Sequence, residues 1–236
     1  ELTGMPDRFY QKRLIRVKEE EEVEEQVSAM VMGNLIHKGL EKVYEPFVGK
    51  PITNIDIDQW SAQAYEAGLT YLIEVERYSK SALNQGRNLL TLEICKKMIR
   101  QFLHYDARRA EQGTLVLKGV ETKLDFEMLH PTLQLPMKFN GVVDRLEVYE
   151  NAFIIWDYKS GAIGPSDLSL SGLDDLWIGS KGKPLQILLY AWLLWKKELV
   201  SHPFPWHSGM FKLQSGQPEH LLRGAALGKS NDITEE

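Results

Sequence analysis

The stretch from residue 141 to residue 161 constrains this chain more than any other part of its sequence. It contains two apolar runs, residues 142–148 and 153–156, which are rich in β-branched and aromatic side chains and are separated by a short polar break. This pattern predicts two antiparallel strands joined by a tight turn. Three charged residues interrupt the apolar pattern, namely Asp144, Asp157 and Lys159. A charge in a half-buried strand costs free energy unless a partner pairs with it, so these three residues require an explanation.

The geometry of paired strands supplies an explanation for these three charges. A turn of either two or four residues that pairs Tyr149 with Ala152 also sets Asp144 opposite Asp157, with Cβ atoms about 5 Å apart. Lys159 lies two residues beyond Asp157 and shares its face of the strand. Two carboxylates this close repel each other unless a cation lies between them, and hard oxygen ligands suit Mg²⁺ or Mn²⁺. A register shift of one residue would remove this site.

The order of motifs along the chain is similar to that of the PD-(D/E)XK nucleases, and most similar to their RecB/AddB-like exonuclease branch. The motifs are Gly33-x-x-x-His37, Asp144 within Gly-Val-Val-Asp-Arg, Asp157-Tyr158-Lys159-Ser160-Gly161, and Gln186-x-x-x-Tyr190. The resemblance implies an α/β fold with a restriction-endonuclease-like core, in which a mixed central β-sheet is flanked by helices. It also implies a metal-dependent deoxyribonuclease.

A helical N-terminal part is predicted over residues 1–113, and the nuclease core over residues 114–236, the two forming one continuous domain. The apolar spacing predicts helices over residues 27–47, from Asp56 or Asp58 to about Tyr78, and over residues 81–109. The third helix is expected to bury a stripe that includes Leu83, Leu90, Ile94, Met98 and Phe102. Arg100, Arg108 and Arg109 are expected on its solvated face. Beyond Gly113 the period changes to two, which indicates a strand that carries Glu121.

His37 is expected to face inward, because Met30, His37 and Tyr44 recur every seven residues. A lone inward histidine is more often a core residue with one hydrogen-bonded neighbour. Beside two aspartates that could hold a divalent ion, a metal ligand is the better interpretation, and the family pattern implies the same role. Gly33, one turn earlier, would permit a close backbone approach.

The predicted site combines the geometry of the hairpin with the family pattern. The proposed catalytic residues are Lys159, Asp144, Asp157, Gln186 and Tyr190. The proposed metal ligands are His37, Asp144, Asp157 and the backbone carbonyl of Tyr158, with Glu121 as a further candidate. Glu121 fits a solvent-facing strand position nearly as well. Lys159 would orient or deprotonate the attacking water or offset charge in the transition state, and the sequence leaves these roles open.

The expected cofactor is Mg²⁺ or Mn²⁺, without an iron–sulfur cluster. Met5 occupies the position of a cluster cysteine in iron–sulfur members of the family, and Cys95 is the only cysteine in the chain. A single cysteine fits a reducing, cytoplasmic location, and no apolar run approaches the length of a membrane span.

The net charge of −5 predicts weak intrinsic affinity for DNA, since such affinity comes largely from neutralising phosphates. Part of the acidic excess is the run of six glutamates within residues 19–25. The abrupt start at Glu1 suggests a fragment of a larger protein. The family resemblance implies that it is the nuclease domain of a larger helicase–nuclease or repair protein, which processes single-stranded or duplex DNA ends exonucleolytically. The alternatives are a catalytically silent DNA-binding module of the same fold, or a structural interaction domain.

The remaining sequence carries fewer signals. Many glycines and serines between Lys159 and Pro184 predict a loop or flap in which Trp177, Lys181 and Lys183 could contact a nucleic-acid strand. A helix is expected from Pro184, a last strand over residues 206–213, and a tail over residues 224–236.

Overall fold

The computed structural model describes residues 26–150, 152–172, 174–175, 181–197 and 206–223. The helices are α1 (Ala29–Tyr44), α2 (Ile57–Glu74), α3 (Lys80–Leu83), α4 (Gly86–Gln112) and α5 (Gly182–Lys196). The strands are β1 (Pro51–Ile52), β2 (Leu115–Leu129), β3 (Pro136–Tyr149), β4 (Ala152–Lys159), β5 (Ser169–Leu170), β6 (Trp206–Lys212), β7 (Gln217–His220) and β8 (Leu222–Arg223). None of the helices in these ranges is both long enough and apolar enough to cross a membrane.

Six strands form one mixed sheet in the order β1-β2-β3-β4-β6-β7. All neighbours are antiparallel except β4 and β6, which are parallel and are connected through α5. Strands β5 and β8 form a separate parallel pair. This mixed sheet flanked by helices confirms the predicted fold class.

Alternation along β4 separates the two faces of the sheet. Ile154 and Trp156 belong to the large core that the sheet shares with α1, α2 and α4. Phe153 and Ile155 point the other way, into a second core closed by α5. Because β4 is covered on both faces, it reads as an almost continuous apolar run, and the charges at its end stand out.

The register of the central hairpin is confirmed. The pairs between β3 and β4 run from Tyr149–Ala152 to Arg145–Trp156. Continuing this register by one residue sets Asp144 opposite Asp157, at the point where the ladder ends.

The third predicted helix differs from its prediction in both continuity and burial. The third predicted helix is split into α3 and α4 at Gly86, whose φ of +53° breaks the regular backbone. Leu90 and Ile94 are 67% and 48% exposed, although they were expected in the core. A strict four-residue spacing rotates by about 40° around the helix at each step, so the stripe extrapolated back from Phe102 leaves the buried face. The buried face instead alternates steps of four and three, through Asn88, Leu92, Cys95, Ile99, Phe102, Asp106 and Arg109.

Met30 is also wrongly assigned to the buried stripe of α1, because it is 74% exposed in the first turn of that helix. The rest of α1 and the start of α2 agree with the prediction. Asp56 is the N-cap of α2, and its carboxylate accepts a hydrogen bond from the backbone N–H of Gln59 at 3.0 Å.

The close backbone approach expected at Gly33 occurs at other glycines. A Cβ on Gly33 would lie 3.8 Å from the Ser160 hydroxyl, an ordinary contact. A Cβ on Gly39 would lie 2.3 Å from the carbonyl oxygen of Ala64, and one on Gly68 would lie 2.3 Å from that of Leu35. These two glycines therefore set the distance between α1 and α2.

Strands β1, β5, β7 and β8 were not predicted from the sequence, and several predictions fall outside the described residues. These are the Met5 motif, the glutamate run at residues 19–25, Trp177, and the tail at residues 224–236. The division at residue 113 stays a prediction, although α4 does end at Gln112.

Candidate metal centre

Side chains from three elements converge where β3 and β4 stop pairing. His37 of α1, Glu121 of β2 and Asp144 of β3 each offer a ligand atom, and these atoms lie within 4.8 Å of one another. The Nδ1 atom of His37 is 3.1 Å from Oε1 of Glu121 and 3.3 Å from Oδ1 of Asp144. A lone core histidine would have one such neighbour, whereas His37 has two carboxylates.

A local irregularity directs Glu121 toward this site. The register of β2 against β3 shifts between Leu117 and Gly119, and Glu121 has a φ of +43°. L-residues other than glycine rarely adopt this conformation, and bulges next to active sites commonly re-aim a side chain. The second carboxylate oxygen of Glu121 lies 3.8 Å from the ammonium of Lys38. The Glu121 side chain is only 14% exposed and faces His37 rather than solvent, while its role as a metal ligand stays a prediction.

Asp144 is buried and held from two sides. One carboxylate oxygen faces His37, and the other accepts a hydrogen bond from the backbone N–H of Tyr158. The ring of Tyr158 packs edge-on against the imidazole of His37, with centroids 5.6 Å apart. Strand β4 thus fixes both the aspartate and the histidine. Of Tyr158, only the N–H and the ring have described contacts at the site, so metal ligation by its carbonyl stays a prediction.

Asp157 lies beside the group of three and has different partners. Its Oδ2 atom is 2.6 Å from the ammonium of Lys159, and its Oδ1 atom accepts a hydrogen bond of 3.0 Å from the side-chain amide of Gln186. The same amide is 2.8 Å from the hydroxyl of Tyr190. The ring of Tyr190 rests on Gly141, where a Cβ would come within 2.8 Å of it. The predicted residues of α5 are therefore joined to the site through Asp157.

The electrostatics of the site show an excess of carboxylates. Burial and the neighbouring Asp144 raise the pKa of Asp157 to about 6. Burial lowers the pKa of His37, but hydrogen bonds and charge from Asp144 and Glu121 outweigh it and raise that pKa to about 10. Carboxylate oxygens with one imidazole nitrogen are a donor set that fits Mg²⁺ or Mn²⁺. The residues present therefore fit a divalent cation.

A buried ion network, which was not predicted from the sequence, lies beneath the site. The guanidinium of Arg145 is 2.6 Å from Glu147 and 2.7 Å from Asp106, and Arg109 contacts both carboxylates. All four side chains are at least nine-tenths buried. Arg109 was expected in solvent, and this expectation is wrong. The spacing in the sequence could have indicated this burial, because Arg109 follows Phe102 and Asp106 at helical steps of four and three and so lies on the same face of α4.

Comparison with known proteins identifies the family. The family model described as the PD-(D/E)XK nuclease superfamily matches residues 5–232. This chain belongs to that superfamily. No individually curated protein matches it.

The family match covers Asp157 and Lys159, and their assignment as the last acidic residue and the lysine of the superfamily signature stays a prediction from the sequence. Nucleases of the superfamily use divalent metals, and the group formed by His37, Glu121 and Asp144 could bind one. The mixed sheet flanked by helices is consistent with the restriction-endonuclease-like fold.

Proposed function

We propose that this chain hydrolyses DNA phosphodiester bonds with a divalent metal ion, as an exonuclease of the RecB/AddB-like branch. One observation carries the proposal: the group of His37, Glu121 and Asp144 adjoins the ion pair between Asp157 and Lys159. These residues come from four separate elements, and a fold without a charged ligand gains little from collecting three carboxylates at one buried point.

The proposed ligand set is His37, Glu121, Asp144, Asp157 and the carbonyl of Tyr158. A bound Mg²⁺ or Mn²⁺ supplies a Lewis acid for the phosphoryl oxygen and lowers the pKa of the attacking water.

The chain's own residues have separate tasks. Lys159 keeps its ammonium at the exposed side of the site, where it orients or deprotonates water or offsets charge on the phosphate. Gln186 holds one oxygen of Asp157, and Tyr190 holds Gln186, so both act as positioning residues. Gly141 leaves room for the ring of Tyr190.

Two observations support a role at DNA ends and a helicase partner. The histidine helix and the Gln-x-x-x-Tyr helix both reach the site, as the RecB/AddB-like pattern implies. The net charge of −5 supports a chain that receives its substrate from a partner protein rather than capturing it alone.

The test measures cleavage of end-labelled linear DNA and of circular single-stranded DNA in Mg²⁺, Mn²⁺ and EDTA. We expect metal-dependent loss of the linear substrate only, and at least about a hundredfold loss of rate in Asp144→Asn and Lys159→Ala. Asp125→Asn and Lys197→Ala are matched controls, because Asp125 of β2 and Lys197, directly after α5, form an ion pair of 2.8 Å that makes no described contact with the site. Cleavage by Asp144→Asn at the wild-type rate would contradict the proposal. DNA binding without cleavage in either metal would favour the silent module.

A further inference from the structure

The parallel strands β4 and β6 bring two lysines together at their carboxyl ends. Lys159 of β4 is the register partner of Lys212 of β6. The backbone N–H of Leu213 donates to the carbonyl oxygen of Lys159 at 3.0 Å, so the alignment holds to the last residue of both strands. Register partners in neighbouring strands lie about 4.8 Å apart and point to the same face of the sheet. Lys212 therefore stands beside the lysine of the nuclease signature.

Two ammonium groups side by side repel each other, and here each one is turned toward its own carboxylate partner. Lys159 contacts Asp157 at 2.6 Å, whereas Lys212 contacts Glu219 of β7 at 2.8 Å. The side chains of Lys159 and Lys212 are 32% and 23% exposed, so both reach solvent at the end of the sheet. Like charges in register destabilise a sheet. Asp157 and Glu219 offset this repulsion in the free protein, and an anionic ligand beside the two ammonium groups would do the same.

The position of the pair also indicates a ligand. In sheets with parallel strands, ligands bind outside the carboxyl ends of those strands, and β4 and β6 are the parallel pair of the six-stranded sheet. The flexible stem of lysine lets the two ammonium groups spread to match separate anionic groups.

We propose that Lys212 is a second phosphate-binding lysine, which contacts a backbone phosphate of the DNA next to the one held at Lys159. Glu219 holds Lys212 in the free protein and competes with that phosphate. This inference rests on the proposed function and specifies how its substrate is bound.

A purely structural ion pair and a phosphate contact predict opposite effects for the partner carboxylate. If Lys212 only braces β6 against β7, then Glu219→Gln and Lys212→Gln should impair the protein equally. If Lys212 binds phosphate, Lys212→Gln should weaken DNA binding, and Glu219→Gln should strengthen it by freeing the ammonium.

The experiment measures anisotropy of a short labelled single-stranded oligonucleotide in EDTA, at several salt concentrations, and the KM of cleavage in Mn²⁺. Lys212→Gln should weaken binding and raise KM by about tenfold, with kcat little changed. It should also reduce the slope of log K against log salt by about 0.7. Lys212→Arg should retain binding. Lys197→Gln is the matched control, since Lys197 is 27% exposed and has a carboxylate partner at 2.8 Å.

Two results would overturn the inference: equal binding and salt slope in Lys212→Gln and Lys197→Gln, or weaker binding in Glu219→Gln. Failure of the proposed function would give a different experimental result. In that case the wild type does not cleave DNA in any metal, while weaker oligonucleotide binding by Lys212→Gln would still support Lys212 as a phosphate contact.

Discussion

At the scale of single residues, the protonation of His37 follows from its two carboxylate neighbours. With a pKa raised to about 10, the metal-free imidazole carries a proton at neutral pH and forms ion pairs with Glu121 and Asp144. Metal ligation requires the neutral imidazole. From the sequence, we expect Mn²⁺ affinity to fall as pH drops through about 6.5, the unperturbed value. The raised pKa moves this window upward, and affinity should still rise with pH above 7.

Mn²⁺ binding to the wild type at pH 7.5 should therefore release close to one proton. Calorimetric titrations in two buffers of different ionisation enthalpy measure this number directly. His37→Gln should bind Mn²⁺ more weakly and release almost no proton, and it should lose any preference for Mn²⁺ over Mg²⁺. Equal affinity and equal proton release in the two proteins would remove His37 from the ligand set.

Asp157 makes the metal-free protein less stable as pH rises. The pKa of Asp157 in the folded protein is about 6, above the usual value of 3.8, because the folded state favours the protonated carboxyl. The stability that this protonated form contributes is fully present below pH 3.8 and is lost as pH rises through 6. Asp157→Asn should therefore increase the free energy of unfolding in EDTA at pH 7, by up to about 3 kcal/mol. The gain should vanish near pH 4. Urea unfolding at both pH values tests this, with the exposed Asp58→Asn as control; a gain that does not change with pH would contradict it.

At the scale of elements, the position of His37 depends on how closely α1 approaches α2. Gly39 follows His37 by two residues, and both Gly39 and Gly68 face backbone carbonyls of the opposite helix at a distance that excludes a Cβ. A backbone carbonyl cannot rotate away as a flexible side chain can, so any larger residue must push the helices apart.

Gly68→Ala should lower the free energy of unfolding by about 1–3 kcal/mol, although alanine favours a helix intrinsically by about 1 kcal/mol. Because α1 carries His37, the same change should weaken Mn²⁺ binding per folded molecule. Thermal unfolding and calorimetric titration measure the two effects. Gly182→Ala is the matched control, since no atom lies within 4 Å of its added Cβ. A more stable Gly68→Ala protein would show that propensity outweighs the close packing.

At the scale of the whole molecule, the buried ions join the helical layer to the sheet. Asp106 and Arg109 belong to α4. Arg145 and Glu147 belong to β3, where they follow Asp144 by one and three residues. Tyr44 of α1 donates a hydrogen bond of 2.6 Å to Asp106. The network therefore links the strand of one proposed ligand to the helices that pack around it.

Glu147→Gln should destabilise the protein by about 3–5 kcal/mol at pH 7, because it leaves two buried guanidinium groups with one carboxylate. Burial raises the pKa of Glu147, but Arg109 and Arg145 outweigh it and lower that pKa to about 2. Its stabilising effect is therefore present above pH 4.5 and is lost as pH falls through 2, so the difference from wild type should shrink in acid. Chemical unfolding measures it, and the exposed Glu127→Gln should show no comparable loss. Equal stability of Glu147→Gln and wild type would mean that the network is replaceable.

Metal binding should also stabilise the whole fold. Mn²⁺ at about a hundred times its dissociation constant should add about 2.7 kcal/mol to the free energy of unfolding of the wild type. Asp144→Asn should show almost no such gain, because it removes a carboxylate of the proposed ligand set. Thermal melts with and without Mn²⁺ compare the two proteins, and an equal rise in both would assign the ion to another site.

The sequence by itself determined the hairpin and its register. A short turn between the two apolar runs pairs Tyr149 with Ala152, and counting outward from that pair brings Asp144 beside Asp157. Local patterns of this kind depend on neighbours in the chain, which is why β2, α5 and the cap at Asp56 were also predictable.

Only the tertiary structure decided which charged groups share a partner. Glu121 meets His37 across 84 residues where its backbone departs from regular strand geometry, with a φ of +43°, and no pattern in β2 indicates that conformation. Arg109 is buried because α4 packs over β3, where Glu147 pairs with its guanidinium. A long charged side chain on a helix otherwise belongs in solvent. Lys212 stands beside Lys159 because β6 runs parallel to β4, a pairing that depends on the crossover through α5. Each of these contacts joins segments far apart in the chain, and their free energy exists only once the sheet and the helices have packed.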